Sequence, residues 1–267
     1  RFAANPLLVV LFTIFVDLIG IGILIPVIPQ LLANPRSEYF LLPTGVSLNT
    51  GFIILGYLTA IFPFMQFLAA PILGQLSDKY GRKKVLAISL FGTAIGYAVF
   101  ALGILMRSIP MLFLARGLDG VTGGNLSVAQ AAIADVTKPE NRAKAFGMIG
   151  AVFGIGFILG PYIGGKLSDP NVISWFDATT PFYFASILAL LNTLFVITLF
   201  PETHPALQSH LNLDLGKSLK NIFKAFSLPN LRQIFATVFL FQAGFGFFVT
   251  FFPVYLIRRF NFTQGTG

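Results

Sequence analysis

Runs of residues without a single charge, each long enough to cross a bilayer, constrain this chain more than any other feature. Leu18–Asn34 follows Asp17; Val85–Met106 has 22 residues, Ala145–Gly165 has 21, Ala178–Pro201 has 24 and Gln233–Ile257 has 25. A helix rises about 1.5 Å per residue and needs about 20 residues to cross about 30 Å of hydrocarbon. A transmembrane β-barrel would show alternating segments of about 10 residues instead. An all-α membrane protein is therefore expected. Composition agrees, with 55% of the 267 residues apolar and 10% charged, against about 25% charged in soluble domains. The first apolar run, Pro6 to Leu32, is too long for the roughly 7–15-residue core of a signal peptide, so it is read as a span.

Seven spans are expected, near residues 6–32, 50–75, 84–106, 109–134, 143–166, 180–200 and 232–257. With the N-terminus in the cytoplasm, 12 of the 18 Lys and Arg residues fall on the inner side, and five on the outer side: Arg36, Arg107, Lys166, Arg258 and Arg259. Arg116 falls inside a span. That bias supports the inward N-terminus. The spacing divides the chain into a six-helix transmembrane bundle over 1–200, a cytoplasmic linker over 201–230, and a seventh span with the start of a second bundle over 231–267. Within the linker, Leu215, Leu219, Ile222, Phe223 and Phe226 share one helical face, opposite Lys217, Lys220 and Lys224. An apolar face backed by lysines suits an interfacial helix on anionic lipid. The chain opens on Arg1 rather than Met, and a seventh span after a linker is expected to begin a second half.

Chemistry concentrates on charges inside the spans. Asp17 lies near the midplane of span one, where a carboxylate costs on the order of 2.5–3.5 kcal/mol unless it faces a partner or a wet cavity. A carboxylate kept there can take up and release a proton, as a proton-coupled carrier requires; the alternative is a static hydrogen-bond network with span four. Span four supplies a polar stripe of Arg116, Asp119, Gly120, Gly123, Ser127 and Gln130, with Asn125 on the opposite face. Arg116 and Asp119 stand three residues apart, a spacing at which they also neutralise each other. Gln66, Tyr97, Gln130, Asn192 and Gln242 are further candidate cavity contacts, each equally suited to a helix–helix hydrogen bond. Gly20, Gly22, Pro26 and Pro29 predict a kinked outer half of span one. In span five, Gly147, Gly150, Gly154, Pro161, Gly164 and Gly165 are expected to share one close-packing face. The chain has no cysteine and two histidines, His204 and His210, both in the linker. No metal-ligand cluster or nucleophile–base pair emerges, so neither an enzyme nor a metal or other cofactor is expected.

Four motifs in order resemble the major facilitator superfamily. Gly74-Gln75-Leu76-Ser77-Asp78-Lys79-Tyr80-Gly81-Arg82-Lys83-Lys84 is similar to its loop 2–3 motif, and Arg116 to Gly124 to its span-four motif. Gly156, Gly160, Pro161, Gly164 and Gly165 resemble the span-five motif of antiporters. Asp17 to Gly22 with Pro26 and Pro29 resembles span one of the drug:proton antiporters, most closely the tetracycline-exporter branch. The resemblance implies an N-terminal six-helix bundle plus linker and first helix of an incomplete second bundle, in a bacterial cell membrane. It implies export of amphipathic small molecules in exchange for protons, driven by the proton gradient. Asp78 and Arg82 would form a charge relay at the cytoplasmic gate, Arg116 would sit near Asp17, and the glycine face around Pro161 would pack on a helix of the second half. The sequence departs from that branch at Gly96, where those exporters carry an acid, and at Asp119, where they carry a small or neutral residue. A nutrient or metabolite carrier of the same superfamily, or a non-transporting half that needs a partner chain, stays open at this stage.

Overall fold

The computed structural model describes residues 5–204, 216, 224 and 227–260. It contains helices α1 (Pro6–Leu32), α2 (Leu48–Tyr80), α3 (Arg82–Leu105), α4 (Ile109–Thr122), α5 (Asn125–Val136), α6 (Arg142–Leu167), α7 (Thr180–Leu199) and α8 (Pro229–Phe260). Six of these are individually long and apolar enough to cross a membrane: α1, α2, α3, α6, α7 and α8. The expected fourth span is instead divided between α4 and α5, interrupted at Gly123-Gly124. The lysine-backed linker helix lies outside the described residues, apart from Gly216 and Lys224.

Local chemistry sets the helix ends. Asn5 caps α1 by accepting from the Leu7 amide at 3.1 Å, and Pro6 occupies the first helical position, where no N–H is needed. The helix then continues unbroken through Pro26 and Pro29, where a kink is expected. Ser47 caps α2 from the Thr50 amide. One residue, Gly81, separates α2 from α3 at φ +96°, a left-handed geometry that favours glycine. Before α7, Asp177 accepts from the amides and hydroxyls of Thr179 and Thr180 at 2.6–3.2 Å. Burial alone would raise this carboxyl; the four donors outweigh it and hold it below the usual carboxylate range.

Helix α1 runs through the middle of the bundle, packed along α6 and α7 and touching α2, α5 and α8. Three further close pairs, α3 with α7, α3 with α4 and α2 with α4, complete the bundle. Glycines permit the tightest approach: Cβ atoms on Gly156, Gly160 and Gly164 would meet Leu18, Gly22 and Ile23 of α1. This corrects the single expected glycine face of span five. Gly147, Gly150 and Gly154 look onto open space, whereas Gly156, Gly160 and Gly164 are buried against α1.

The apolar interior falls into two clusters. One gathers Val9, Val10, Ile14, Leu86, Leu90, Ile133 and Phe200 toward the face that carries the α2–α3 turn. The other gathers Ile23, Leu31, Leu58, Phe100, Ile104 and Phe182 toward the opposite face. Phe100 and Phe182 stack there with centroids 4.4 Å apart. Between the clusters lies a belt of polar side chains.

Candidate functional site

The belt is built from α1, α3, α4, α5 and α7. Arg116 and Asp119, 6% and 3% exposed, form an ion pair at 2.8 Å. Small residues make the room for it. A Cβ on Gly96 would stand 3.2 Å from the Asp119 Cβ, and one on Gly92, a turn earlier on α3, would collide with Thr122. Gly120 brings α4 against the Phe62 backbone of α2, so the Phe62 ring lies 4.4 Å from the Arg116 guanidinium carbon. The Thr93 and Thr122 hydroxyls meet at 3.0 Å across the α3–α4 contact.

Asp17 is half-buried on α1 and accepts a 3.3 Å hydrogen bond from the Asn125 side-chain amide. Asn125 was expected on the far face of span four. The interruption at Gly123-Gly124 resets the helical register, so the wheel that places Asn125 away from Arg116 does not hold across it. Arg116 directs its hydrogen bond to Asp119, not to Asp17. The two acids are thus held by different partners in one belt.

The remaining cavity candidates separate. Gln66 donates at 2.7 Å to the Gly123 carbonyl, which the interruption has released from helical bonding. It lies with Gln130, Ser127, Pro63 and Phe67 on a groove of about 290 Å³ between α2 and the α4–α5 junction. Asn192 is 2% exposed and donates to the Thr13 carbonyl at 3.1 Å, which makes it a helix–helix contact. Tyr97 is 2% exposed, with its ring against Gly20. Gln242 lies exposed on α8.

At the α2–α3 turn, Arg82 is 6% exposed and bonds Asp78 at 2.6 Å, Asp135 of α5 at 3.1 Å and the Ser77 hydroxyl. Its backbone amide and that of Lys83 donate to the two carboxylate oxygens of Glu202 at 2.9 and 3.2 Å. Glu202 therefore caps α3 from the segment after α7, placing a negative charge at the positive end of the helix dipole. Lys79 and Lys84 reach over the Tyr80 ring. Gly74 faces open space, and its carbonyl accepts a hydrogen bond from the Ser77 hydroxyl. Asp135 and Glu202 were missed in the sequence. The available signal was that each is the acid at the α2–α3-turn end of its apolar stretch, beside a motif with surplus positive charge.

In the antiporter-like stretch, Gly156 and Gly160 hold α6 on α1, Pro161 borders Gly22, Gly164 meets Ile23 and Gly165 is buried. Helix α8 approaches through Phe245, 5.3 Å from the Phe157 ring, and through Phe251, which shares a groove with Phe52 and Gly56 of α2.

Comparison with known proteins accords with this architecture. The profile of the Major Facilitator Superfamily matches residues 10–267. Tetracycline resistance protein, class H, of Pasteurella multocida is 37% identical over 89% of this chain and 55% of its own length. Multidrug resistance protein 1 of Bacillus subtilis (strain 168) is 31% identical over 96% of this chain and 60% of its own. The chain spans about half the length of the curated relatives it matches. The crystal structure of the human organic anion transporter MFSD10 (TETRAN) superimposes with a TM-score of 0.71 at 26% identity, covering 97% of this chain and 66% of that one. By sequence profile, relatives and helix packing alike, the chain belongs to the Major Facilitator Superfamily.

Proposed function

We propose that this chain is the N-terminal portion of a secondary transporter that exports amphipathic small molecules or drugs in exchange for protons, by alternating access. The observation that carries this reading is Asp17: a half-buried carboxylate in the middle of a spanning helix, bonded by a neutral amide rather than locked to a cation. An acid so held can cycle between protonated and ionised forms. The neighbouring Arg116–Asp119 pair supplies a second carboxylate and a fixed positive charge in the same belt. Relatives named for tetracycline and multidrug resistance support drugs as the cargo.

We further infer that the acidic group which tetracycline exporters carry on span three has moved to Asp119. Its Cβ lies against the very position, Gly96, where that acid would stand. The cation-facing side of the cargo site would then be read from span four. The basic turn around Asp78, Arg82, Lys83 and Lys84 acts in this reading as the cytoplasmic gate. Residues 1–200 form one rocking bundle in a bacterial cell membrane, with 201–230 as its cytoplasmic linker and 231–267 opening the second bundle, and no cofactor besides the proton gradient is required.

The test is Asp17→Asn in the full-length protein, reconstituted in vesicles with an imposed pH gradient. Drug-dependent proton movement should fall to the protein-free background while the amount of folded protein is unchanged. Wild-type proton movement in that variant would overturn the assignment.

A further inference from the structure

Among the described residues, seven side-chain polar atoms are buried without a protein partner; four belong to the belt, and three of these, on Thr13, Asn192 and Tyr97, flank one stripe of α1. Thr13, Asp17 and Gly20 fall within about 60° of one another on the helix, over about 10 Å of its length. At the N-terminal end of that stripe, the Thr13 hydroxyl and the Asn192 carbonyl oxygen are both buried and unpartnered, although the Asn192 amide already bonds the Thr13 backbone. At the other end, the Tyr97 hydroxyl is buried and unpartnered where it presses on Gly20. Asp17 stands between them, its carboxylate accepting from the Asn125 amide.

Buried polar groups in folded proteins are almost always hydrogen-bonded, to protein or to ordered water. A water that fills such a role typically makes about three hydrogen bonds. Thr13 and Asn192 offer a donor and two acceptors in one place, and Tyr97 offers a donor and an acceptor in the other. An apolar substitution would suit these sites if they were dry.

We propose that Thr13 with Asn192, and Tyr97 on the far side, hold ordered water against the Thr13–Asp17–Gly20 stripe. Asp17 is thereby hydrated from within the bundle. This rests on the proton-coupling reading above and deepens it. When the proton leaves the Asp17 carboxyl oxygen for water on its accessible side, the carboxylate left behind is stabilised by the Asn125 amide and by a hydrogen bond donated from the internal water. The charged and titratable groups within electrostatic reach are Asp119 and Arg116 of α4 and Tyr97 of α3, while α5 and α7 present the neutral amides Asn125 and Asn192. The string is a local reservoir, not a channel. Val10, Leu86, Leu90 and Ile133 seal it toward one face, and Ile23, Phe100 and Leu112 toward the other.

Two measurements on the full-length protein test this. Radiolytic labelling in ¹⁸O-water modifies buried aromatic rings only where water is bound beside them. Tyr97 should take up the label despite its 2% exposure; an unlabelled Tyr97 would overturn the water site. Thr13→Val, close to isosteric, should slow drug-triggered proton release about tenfold, the rate equivalent of one lost hydrogen bond, with drug affinity unchanged. Thr13→Ser should restore it. Wild-type release in Thr13→Val, or a slowing that Thr13→Ser does not relieve, would overturn the role of Thr13. Asp17→Asn keeps the two ideas apart: if it abolishes proton release while Thr13→Val does not, the coupling assignment stands and only the water string fails.

Discussion

A charge in the middle of a membrane protein persists only where a neighbour offsets the hydration it has lost. Arg116 and Asp119 offset each other, and their burial at 6% and 3% exposure makes the pairing obligatory for both. Removing one partner strands the other. Arg116→Leu should therefore destabilise the bundle by about 3–5 kcal/mol, read as a fall in the thermal midpoint of the purified protein. The double variant Arg116→Leu/Asp119→Leu should recover most of that loss, because two apolar side chains of similar volume need no ion partner. Additive losses would show that the two residues do not act as a pair. Asp17 differs in kind: its partner is a neutral amide, so Asp17→Asn removes a charge without orphaning another. That asymmetry between two acids in the same belt is what assigns proton exchange to Asp17, and the cation-facing side of the cargo site to the Arg116-paired Asp119, in the proposed mechanism.

At the scale of helices, approach distance decides more than hydrophobicity. Gly160 lies where α6 crosses α1, and a Cβ there would stand 2.6 Å from the Gly22 Cα. Backbone cannot yield as a side chain can. Gly160→Val should cost about 1–3 kcal/mol through overpacking, whereas Gly150→Val, facing open space, should leave the purified protein's thermal midpoint nearly unchanged. Equal effects would refute the division of the α6 glycines into a packed and an open set. That division was not legible in the sequence, because a wheel ranks residues by direction and cannot say which direction meets a neighbour. The spans themselves were legible, since charge-free length is a direct physical requirement of the bilayer. So was the closeness of Arg116 to Asp119, which lies within one helical turn. The Asn125–Asp17 bond was hidden for a definite reason: Gly123-Gly124 stops the helical count, and only a structure shows the register on the other side. Asp135 and Glu202 were hidden because they reach Arg82 and its backbone from positions 53 and 120 residues away.

Across the whole molecule, the divided fourth crossing decides which loops lie on which side. Helix α4, at 14 residues, is about 21 Å long, and α5, at 12 residues, about 18 Å. Neither alone spans about 30 Å of hydrocarbon, while the two in series do. If α4 and α5 together make one crossing, Lys138 lies on the same side as Lys84, and Val46 and Val172 lie together on the other. If they form a re-entrant pair, Lys138 moves to the side of Val46, and Val172 changes sides with it. The surplus of basic residues around Lys83, Lys84, Lys138, Arg142 and Lys144 favours the first arrangement with that face in the cytoplasm. These 267 residues contain no cysteine, so a cysteine placed among them has no competing thiol within them. A membrane-impermeant maleimide added to intact cells should label Val46→Cys and Val172→Cys, both exposed in their loops. It should label Lys84→Cys and Lys138→Cys only after the membrane is made permeable. Labelling of Lys84→Cys and Lys138→Cys from outside would invert the orientation but keep the crossing. A split between Val46→Cys and Val172→Cys would remove the crossing itself, and with it the placement of Asp17, Asn125, Arg116 and Asp119 at one depth in the bilayer.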